Sequence, residues 1–128
     1  MILITDMSKH FESLGTFRTR GLIQNDISID KFEDRLFVLK MGLKCADLGH
    51  SAKTFKLHET WSDKVCQEFF LQGDKERSLG IPISMFCDRE GANKAKSQYG
   101  FLTNIWYPLY DTFELYLNSD VIRHQCVN

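Results

Sequence analysis

The chain has 128 residues, with 16 basic against 17 acidic side chains and a formal net charge of −1 at pH 7. A near-neutral chain without a run of Lys or Arg lacks the electrostatic footprint of nucleic-acid binding or of attachment to anionic membranes. It also lacks the apolar stretch of about 18 residues that a membrane-spanning helix needs. The apolar run after Met1 is too short for a signal peptide, so we expect a cytoplasmic protein.

The remaining composition favours one helical domain. Hydrophobic residues make up 43% of the chain, and two prolines and eight glycines are too few for the turns of a β-sandwich. The four cysteines are widely spaced and form no C-x-x-C pair, so neither a zinc knuckle nor a disulfide framework is indicated.

The first half of the chain predicts two helices and one loop. Apolar residues at helical spacing predict a helix over 2–14, which Gly15 ends. A polar loop follows over 15–29. Asp30, with Glu33 three residues later, predicts the start of a second helix that runs to Leu48.

The second half predicts two longer helical regions. After a connector over 49–56, a third helix continues through Gly73 to Leu79, where Gly80 and the following Pro82 end it. A loop over 81–91 leads to a last helical region over 93–117, which Pro108 kinks or divides near Tyr107. The predicted fold is therefore all-α, a compact array of several helices.

Asp47 continues an apolar stripe on the second helix, formed by Phe32, Leu36, Leu39 and Leu43. Because an unpaired buried carboxylate is costly, a position on a buried face requires a cation, a metal or strong hydrogen-bond donors. A helix cap or an arginine partner is the ordinary interpretation. His50 follows three residues later, as a second candidate ligand or as a hydrogen-bonded residue near the helix end.

Gln98 shares a predicted helix face with Phe101 and Ile105. A side-chain amide beside an aromatic ring is a good receptor for a flat heterocycle, because it offers a donor and an acceptor side by side. The ordinary interpretation is that Gln98 ties helices together through a backbone group.

Three other features have ordinary interpretations when taken alone. Trp61, Val65 and Phe69 form an aromatic and apolar stripe, which is typical of a core. The run D-K-E-R at 74–77 is typical of a solvated helix face. Thr5 and Asp6 are polar residues beside an apolar stripe.

Five segments nevertheless form an ordered set of motifs. They are T-D-M-S-K-H at 5–10, C-A-D-L-G-H at 45–50, E-F-F-L-Q-G-D-K-E at 68–76, C-D-R at 87–89 and S-Q-Y-G-F at 97–101. In this order they resemble T-D-M-x-x-H, C-A-D-[LI]-[SG]-[NH], E-F-F-x-Q-G-D-x-E and the later motifs of class I cyclic nucleotide phosphodiesterases. The chain is similar to the C-terminal part of that catalytic domain, an all-α fold of the HD type.

The resemblance implies roles for individual residues. Asp47 matches a metal-ligating aspartate, Gln98 the glutamine that hydrogen-bonds the purine, and Phe101 the aromatic that stacks on it, with Val65 opposing it as a clamp. Thr5 and Asp6 match a segment beside the second metal, where the family uses water-mediated contacts. The implied substrate site is lined by Asp47, Leu48, His50, His58, Val65, Phe69, Gln98 and Phe101.

The implied chemistry is hydrolysis of cAMP, cGMP or both to the 5′-monophosphate, with two divalent ions, zinc together with magnesium or manganese. The family's general-acid histidine and most of its metal ligands belong to H-N-x-x-H and H-D segments, and neither occurs in the 128 residues. A catalytic zinc normally takes at least three protein ligands, which Asp47 alone does not provide. We therefore expect residues 1–128 to form part of a catalytic domain that is inactive by itself.

Two hypotheses follow. In the first, the complete protein is a metal-dependent phosphodiesterase, and this chain supplies one metal ligand and the purine pocket. Its expected partners are the cyclic nucleotide, the rest of the catalytic domain and a second copy in a homodimer, with no nucleic acid. Faces that the rest of the domain covers, including that of Asp47, are then open to water. In the second hypothesis, the chain is a non-catalytic helical module that binds a nucleotide or a protein partner.

Overall fold

A computed structural model describes residues 2–119, apart from the side chain of Ile2. Over this range the chain is helical and contains no strand, as predicted. Five α-helices, α1 to α5, cover His10–Arg18, Phe32–Asp47, Phe55–Ser78, Lys94–Phe101 and Tyr107–Leu117. Shorter 3-10 segments cover Ile2–Thr5, Met7–Lys9 and Gly49–Ala52, and π-helical segments cover Thr19–Ile23 and Leu102–Trp106. No helix within the described range is long and apolar enough to cross a membrane.

The N-terminal helix lies further along the chain than predicted. α1 passes through Gly15 and continues as the π-helical segment to Ile23, so the prediction of a helix over 2–14 is wrong. The predicted loop over 15–29 begins only after Ile23. A glycine inside a helix costs about 1 kcal/mol, whereas burial of one large apolar side chain contributes about 1.5–3 kcal/mol. Since Phe17 is fully buried beyond Gly15, continuation of the helix is favoured.

The other predicted helices are confirmed. α2 begins two residues after Asp30 and ends one residue before Leu48. α3 continues through Gly73 to Ser78, and Gly80 follows with a φ of 66°, the left-handed conformation expected after a helix end. The last helical region is divided as predicted. The π-helical segment comes before Pro108, which lies in the first turn of α5, where its missing N–H is not needed.

The hydrophobic core is formed by α1, α2 and the C-terminal helices. Its buried members are Leu14, Phe17, Met41, Cys45, Trp106, Leu109 and Tyr110. Trp106 donates from Nε1 to the Leu48 carbonyl oxygen at 3.2 Å, and the Tyr110 hydroxyl donates to the Cys45 carbonyl oxygen. These two bonds fix the C-terminal end of α2, where Asp47 and Leu48 lie.

Helix α3 contributes little to this core. Its buried residues are Ser62 and Gly73, which are both small. Trp61 is 51% exposed and Phe69 is 41% exposed. The interpretation of the stripe Trp61, Val65 and Phe69 as core is therefore wrong for this structure.

The C-terminal half of α3 holds the segment that follows it. At Gly73, an added Cβ would lie only 2.0 Å from the Cys87 carbonyl oxygen, so the backbone of this segment contacts the helix directly. Three charged residues of α3 also bind the segment, each at 2.7 Å: Asp74 to Arg89, Glu76 to Ser84 and Arg77 to Asp88. The run at 74–77 is thus an anchoring surface rather than simply a solvated face.

Candidate functional site

Helices α3 and α4 are joined by two polar side chains. Ser62 on α3 is 2% exposed, and its hydroxyl donates to the side-chain oxygen of Gln98 on α4 at 3.1 Å. The amide nitrogen of Gln98 faces Cys66, with 4.0 Å between Nε2 and Sγ. Gln98 does tie helices together, but through a side chain and not through a backbone group.

Two histidines extend this contact. The Nδ1 atoms of His50 and His58 are 3.2 Å apart, and the ring planes differ by 9° with centroids at 5.2 Å. Because the two nitrogens are much closer than the ring centres, the rings meet edge to edge, as in an N–H···N hydrogen bond. His58 also lies 3.5 Å from the Ser62 hydroxyl through Nε2, at the long end of hydrogen-bonding distance. The contacts therefore run without a break from His50 to Gln98.

Phe101 lies beside the same cluster. Its ring is nearly parallel to that of His50, with an angle of 9° and a centroid distance of 6.0 Å. Residues from the 3-10 segment Gly49–Ala52, from α3 and from α4 thus converge. The structure brings together four of the predicted substrate-site residues, namely His50, His58, Gln98 and Phe101.

Burial disfavours a positive charge on His50. Burial, with a smaller effect of His58, lowers the pKa of His50 below its ordinary value of 6.5. A site with neutral donors and acceptors beside an aromatic ring suits a flat, uncharged heterocycle.

Asp47 lies on the solvent-exposed side of α2. The buried residues of this helix are Asp34, Met41, Lys44 and Cys45, whereas Phe32 is 65% exposed, Leu39 is 60% exposed and Asp47 is also exposed. In this chain the stripe does not bury Asp47, because the helix packs through a different face. Its exposure agrees with the expectation that this face is open to water when the rest of the domain does not cover it. Among the described residues Asp47 has no arginine partner. Its carboxylate is available at the end of α2, three residues before His50.

Lys44 connects this end of α2 to the Thr5 and Asp6 segment. The Lys44 ammonium is buried and donates to the Ile4 carbonyl oxygen at 2.8 Å. Burial lowers the pKa of Lys44, and the nearby carboxylates of Asp47 and Asp6 offset part of that effect. Asp6 in turn accepts a hydrogen bond from the Ser8 backbone N–H at 2.9 Å, which lowers the pKa of its carboxyl. Thr5 and Asp6 therefore lie on the same side of the molecule as Asp47.

The apolar residues predicted to line the site have different positions. His58, Ser62, Val65 and Phe69 recur at helical spacing along one face of α3. Val65 is half-buried and Phe69 is 41% exposed, so both have free surface on that face. Leu48 instead packs against the hydrophobic core. The roles of these three residues in binding remain predictions.

The described part of the chain does not hold a metal ion by itself. Within residues 2–119, no group of three or more His, Cys, Asp or Glu side chains could coordinate one. Asp47 is the predicted ligand, and its open carboxylate is chemically suited to that role. Any complete metal site needs ligands in addition to Asp47.

Sequence reasoning missed two residues of this region. Ser62 joins the histidine pair to Gln98, and its place at i+4 from His58 and i−3 from Val65 could have identified it. Lys44 joins Asp47 to the Thr5–Asp6 segment. No sequence signal identifies Lys44, because a lysine on a helix is normally exposed.

The chain matches the family model described as 3′5′-cyclic nucleotide phosphodiesterase over residues 1–125. Among curated proteins, it is 38% identical over 125 residues to 3′,5′-cyclic-AMP phosphodiesterase 4C of Rattus norvegicus, covering 94% of this chain and 23% of the relative. It is 39% identical over 118 residues to the probable 3′,5′-cyclic-AMP phosphodiesterase pde-4 of Caenorhabditis elegans, covering 88% of this chain and 18% of the relative.

A solved structure agrees with these matches. The structure of LmjPDEB1 in complex with IBMX superposes with a TM-score of 0.85 at 26% sequence identity, covering 98% of this chain and 37% of that chain. The present chain thus spans less than a quarter of the length of these curated relatives, and just over a third of the solved one.

Proposed function

Because the chain belongs to the 3′5′-cyclic nucleotide phosphodiesterase family, we propose that residues 1–128 form the C-terminal part of a catalytic domain that hydrolyses cAMP, cGMP or both to 5′-monophosphates. The observation that carries the proposal is the cluster of His50, His58, Gln98 and Phe101, which joins three separate segments at one place. These residues come from two different motifs and from the helix between them. Their convergence supports a common role in binding one ligand.

The cluster is proposed to hold the purine. The Gln98 amide provides a donor and an acceptor for the edge of the base, and the Phe101 ring provides a surface for its face. Val65 is proposed to close the opposite face, with Phe69 and Leu48 as apolar walls. His50 and His58 line the polar side.

Asp47 is proposed to contribute one ligand to the metal site. Membership of the family implies dependence on divalent metal ions, which we propose are zinc together with magnesium or manganese. The remaining ligands and the general-acid histidine are proposed to come from the part of the family's catalytic domain that this sequence does not contain. Thr5 and Asp6, which lie near Asp47 across Lys44, are proposed to contact the second metal through water.

Substitution of Asp47 tests the metal role. In the complete protein, Asp47→Ala is expected to lower hydrolysis of cAMP and cGMP by at least about 100-fold, because a metal ligand is lost. A matched control is Asp30→Ala, which removes an exposed carboxylate near the other end of α2 and is expected to leave the rate unchanged. Chelation should abolish the wild-type rate, and added zinc with magnesium or manganese should restore it. Undiminished turnover of Asp47→Ala would refute the assignment.

Substitution of Gln98 tests the purine pocket. Gln98→Ala is expected to lower kcat/KM about 30-fold through a higher KM, because each of the two missing hydrogen bonds contributes about 1 kcal/mol. The kcat should change little, since the amide is proposed to contact the base and not the phosphate. A loss in kcat as large as that of Asp47→Ala, with KM unchanged, would contradict the separation of the two roles.

The alternative is a non-catalytic helical module that binds a nucleotide or a protein. The lack of a complete group of metal ligands within residues 2–119 favours it as the second candidate. It predicts that cAMP or AMP binds the chain with no hydrolysis at any metal concentration. Metal-dependent turnover by the complete protein would eliminate this alternative.

A further inference from the structure

We propose that His50 and His58 form a binding site for one divalent transition-metal ion, such as Zn²⁺, between their Nδ1 atoms. The site is separate from the metal site proposed for Asp47, because no third His, Cys, Asp or Glu side chain within residues 2–119 completes a metal-binding group with the pair. Two donors bind an ion more weakly than the three or four of a resident site. The pair therefore takes up an ion only when one is supplied, and water fills the remaining coordination positions.

The spacing of the two nitrogens suits two ligands on one metal ion. The Nδ1 atoms are 3.2 Å apart. Two imidazole nitrogens at about 2.0–2.1 Å from a tetrahedral Zn²⁺ ion are roughly 3.3–3.4 Å apart. At the present separation, an ion bound to both nitrogens has an N–Zn–N angle of about 100–106°, which is close to tetrahedral.

The rings need a limited movement to bind the ion. Their planes differ by 9° and their edges face each other, so the two lone-pair directions lie along one line. Each ring must turn by roughly 40° for both lone pairs to converge on an ion with tetrahedral geometry. The χ2 torsion of histidine has broad minima, which permit such a turn. Both side chains are only half-buried, so an ion and its water ligands can reach them.

The protonation of the pair also suits a metal ion. A neutral imidazole carries one ring proton, and a ring that binds a metal through Nδ1 carries this proton on Nε2. Burial, with a smaller effect of His58, lowers the pKa of His50, so protons compete less strongly with a metal here than at an ordinary histidine. Ser62 Oγ lies 3.5 Å from His58 Nε2, where it can accept the ring proton. Such outer contacts orient metal-binding histidines.

The donor set decides which ions are bound. Imidazole nitrogens suit zinc, copper and nickel, whereas magnesium and calcium prefer oxygen ligands. The pair is therefore expected to discriminate between Zn²⁺ and Mg²⁺.

An ion at this site is expected to oppose nucleotide binding, a consequence that rests on the proposed function. His50 and His58 line the polar side of the proposed purine pocket. The Phe101 ring lies nearly parallel to that of His50, with a centroid distance of 6.0 Å. A hydrated ion between the two histidine rings then occupies space that the base needs. Zinc in excess of what catalysis requires is expected to compete with the nucleotide.

Nitrogen-15 NMR of the histidine side chains tests the metal site without any nucleotide. In the full 128-residue chain, which has four histidines, added Zn²⁺ is expected to shift the Nδ1 signals of His50 and His58 along one binding curve. Both rings should then carry their proton on Nε2. Mg²⁺ at the same concentration should change neither signal.

Variants of the pair make this titration specific. His58→Gln keeps a polar side chain but removes one ligand. Loss of an outer-shell partner alone costs about 10–100-fold in metal affinity, so the affinity of His50 for Zn²⁺ should fall at least about tenfold in this variant. The matched control is His124→Ala, which should keep the wild-type response of both signals. Unchanged His50 and His58 signals in excess Zn²⁺, or an equal affinity in His58→Gln, would overturn the proposal.

Zinc inhibition of the complete protein tests the consequence. With the catalytic metals already saturating, Zn²⁺ at about ten times the dissociation constant of the new site should raise KM about tenfold and leave kcat constant. In His58→Gln, the same Zn²⁺ concentration should raise KM by no more than about twofold. His124→Ala should show the full rise.

The outcomes separate the two proposals. If the complete protein hydrolyses neither nucleotide, the proposed function fails and the NMR titration alone decides whether the metal site exists. If the protein is active and Zn²⁺ shifts both histidine signals but leaves KM unchanged, the overlap of the site with the nucleotide pocket is wrong, although the proposed function stands. Equal zinc inhibition of the wild type and His58→Gln would place the inhibitory ion elsewhere and contradict the proposed consequence.

Discussion

The direct contact between Gly73 and the segment after α3 makes Gly73→Ala a sharp test of the structure. An alanine Cβ would lie 2.0 Å from the Cys87 carbonyl oxygen and 2.7 Å from the carbonyl carbon. Ordinary contact begins at 3.4 Å, so the backbone at Cys87 must move by more than about 1 Å. That segment cannot move alone, because Asp74, Glu76 and Arg77 hold its other residues at 2.7 Å.

The expected change in the free energy of unfolding of Gly73→Ala combines opposing effects. Overpacking of a tight contact costs about 1–3 kcal/mol, and the displaced segment weakens hydrogen bonds worth about 1 kcal/mol each. Alanine recovers about 1 kcal/mol, because it favours the helix more than glycine does. The free energy of unfolding should therefore fall by about 2 kcal/mol. For a chain of this size, that loss corresponds to a fall in Tm of about 8 °C.

Thermal and urea unfolding followed by circular dichroism would measure this change. The matched control is Gly15→Ala in α1, where no atom lies within 4 Å of the added Cβ. This variant should be more stable than the wild type by about 0.5–1 kcal/mol, through helix propensity alone. If Gly73→Ala is as stable as the wild type or more stable, the close approach of Cys87 to α3 is refuted.

Two further predictions concern pH. His10 is fully buried, with neither ring nitrogen bonded among the described residues, and burial lowers its pKa below 6.5. The unfolded state therefore takes up a proton more readily, so the free energy of unfolding should fall as pH drops through 6.5. In His10→Leu, the difference in this free energy between pH 7.5 and pH 5.5 should be smaller than in the wild type, as unfolding curves at the two pH values would show. A pH dependence as steep in His10→Leu as in the wild type would contradict this account. Asp34 accepts from Ser28 N at 3.0 Å and from Arg20 Nη2 at 2.9 Å, and these bonds lower its pKa below 3.8. Asp34→Ala should therefore lower the free energy of unfolding at pH 7, and this difference from the wild type should shrink as pH falls below 3.8. Urea unfolding of both proteins at pH 7 and pH 3 would check this result. An equal loss at pH 7 and pH 3 would refute it.

The sequence predicts helices best where local signals agree with packing. α2 and α3 carry long apolar periodicity, and the Gly80–Pro82 pair marks the end of α3, because glycine can adopt the left-handed φ of 66° found there. The error at α1 arises because Gly15 is a weak signal against helix. The burial of Phe17, which decides the outcome, depends on partners far along the chain, including Phe37 and Tyr116.

The candidate site is only partly visible in the sequence. Gln98, Phe101 and His50 belong to recognisable motifs, and the structure brings them together. The exposure of Asp47 could not be read from its stripe, because periodicity identifies a face but not which face packs. Ser62 and Lys44 escape notice for a similar reason. Their roles depend on the contacts between helices. The spacing of Ser62 from His58 and Val65 is its one signal in the sequence, and Lys44 has none.

Helix α3 packs through small residues and leaves its large apolar side chains exposed. Its two buried residues, Ser62 and Gly73, occupy little volume, so its contribution to the core is small. Ser62 holds Gln98, and Gly73 receives the backbone of the next segment. Because these contacts fix the helix at two points, Val65 and Phe69 are not needed to anchor it. Both keep free surface on the helix face that also carries His58. Substitutions at these two apolar positions should therefore affect nucleotide binding more than the stability of the fold.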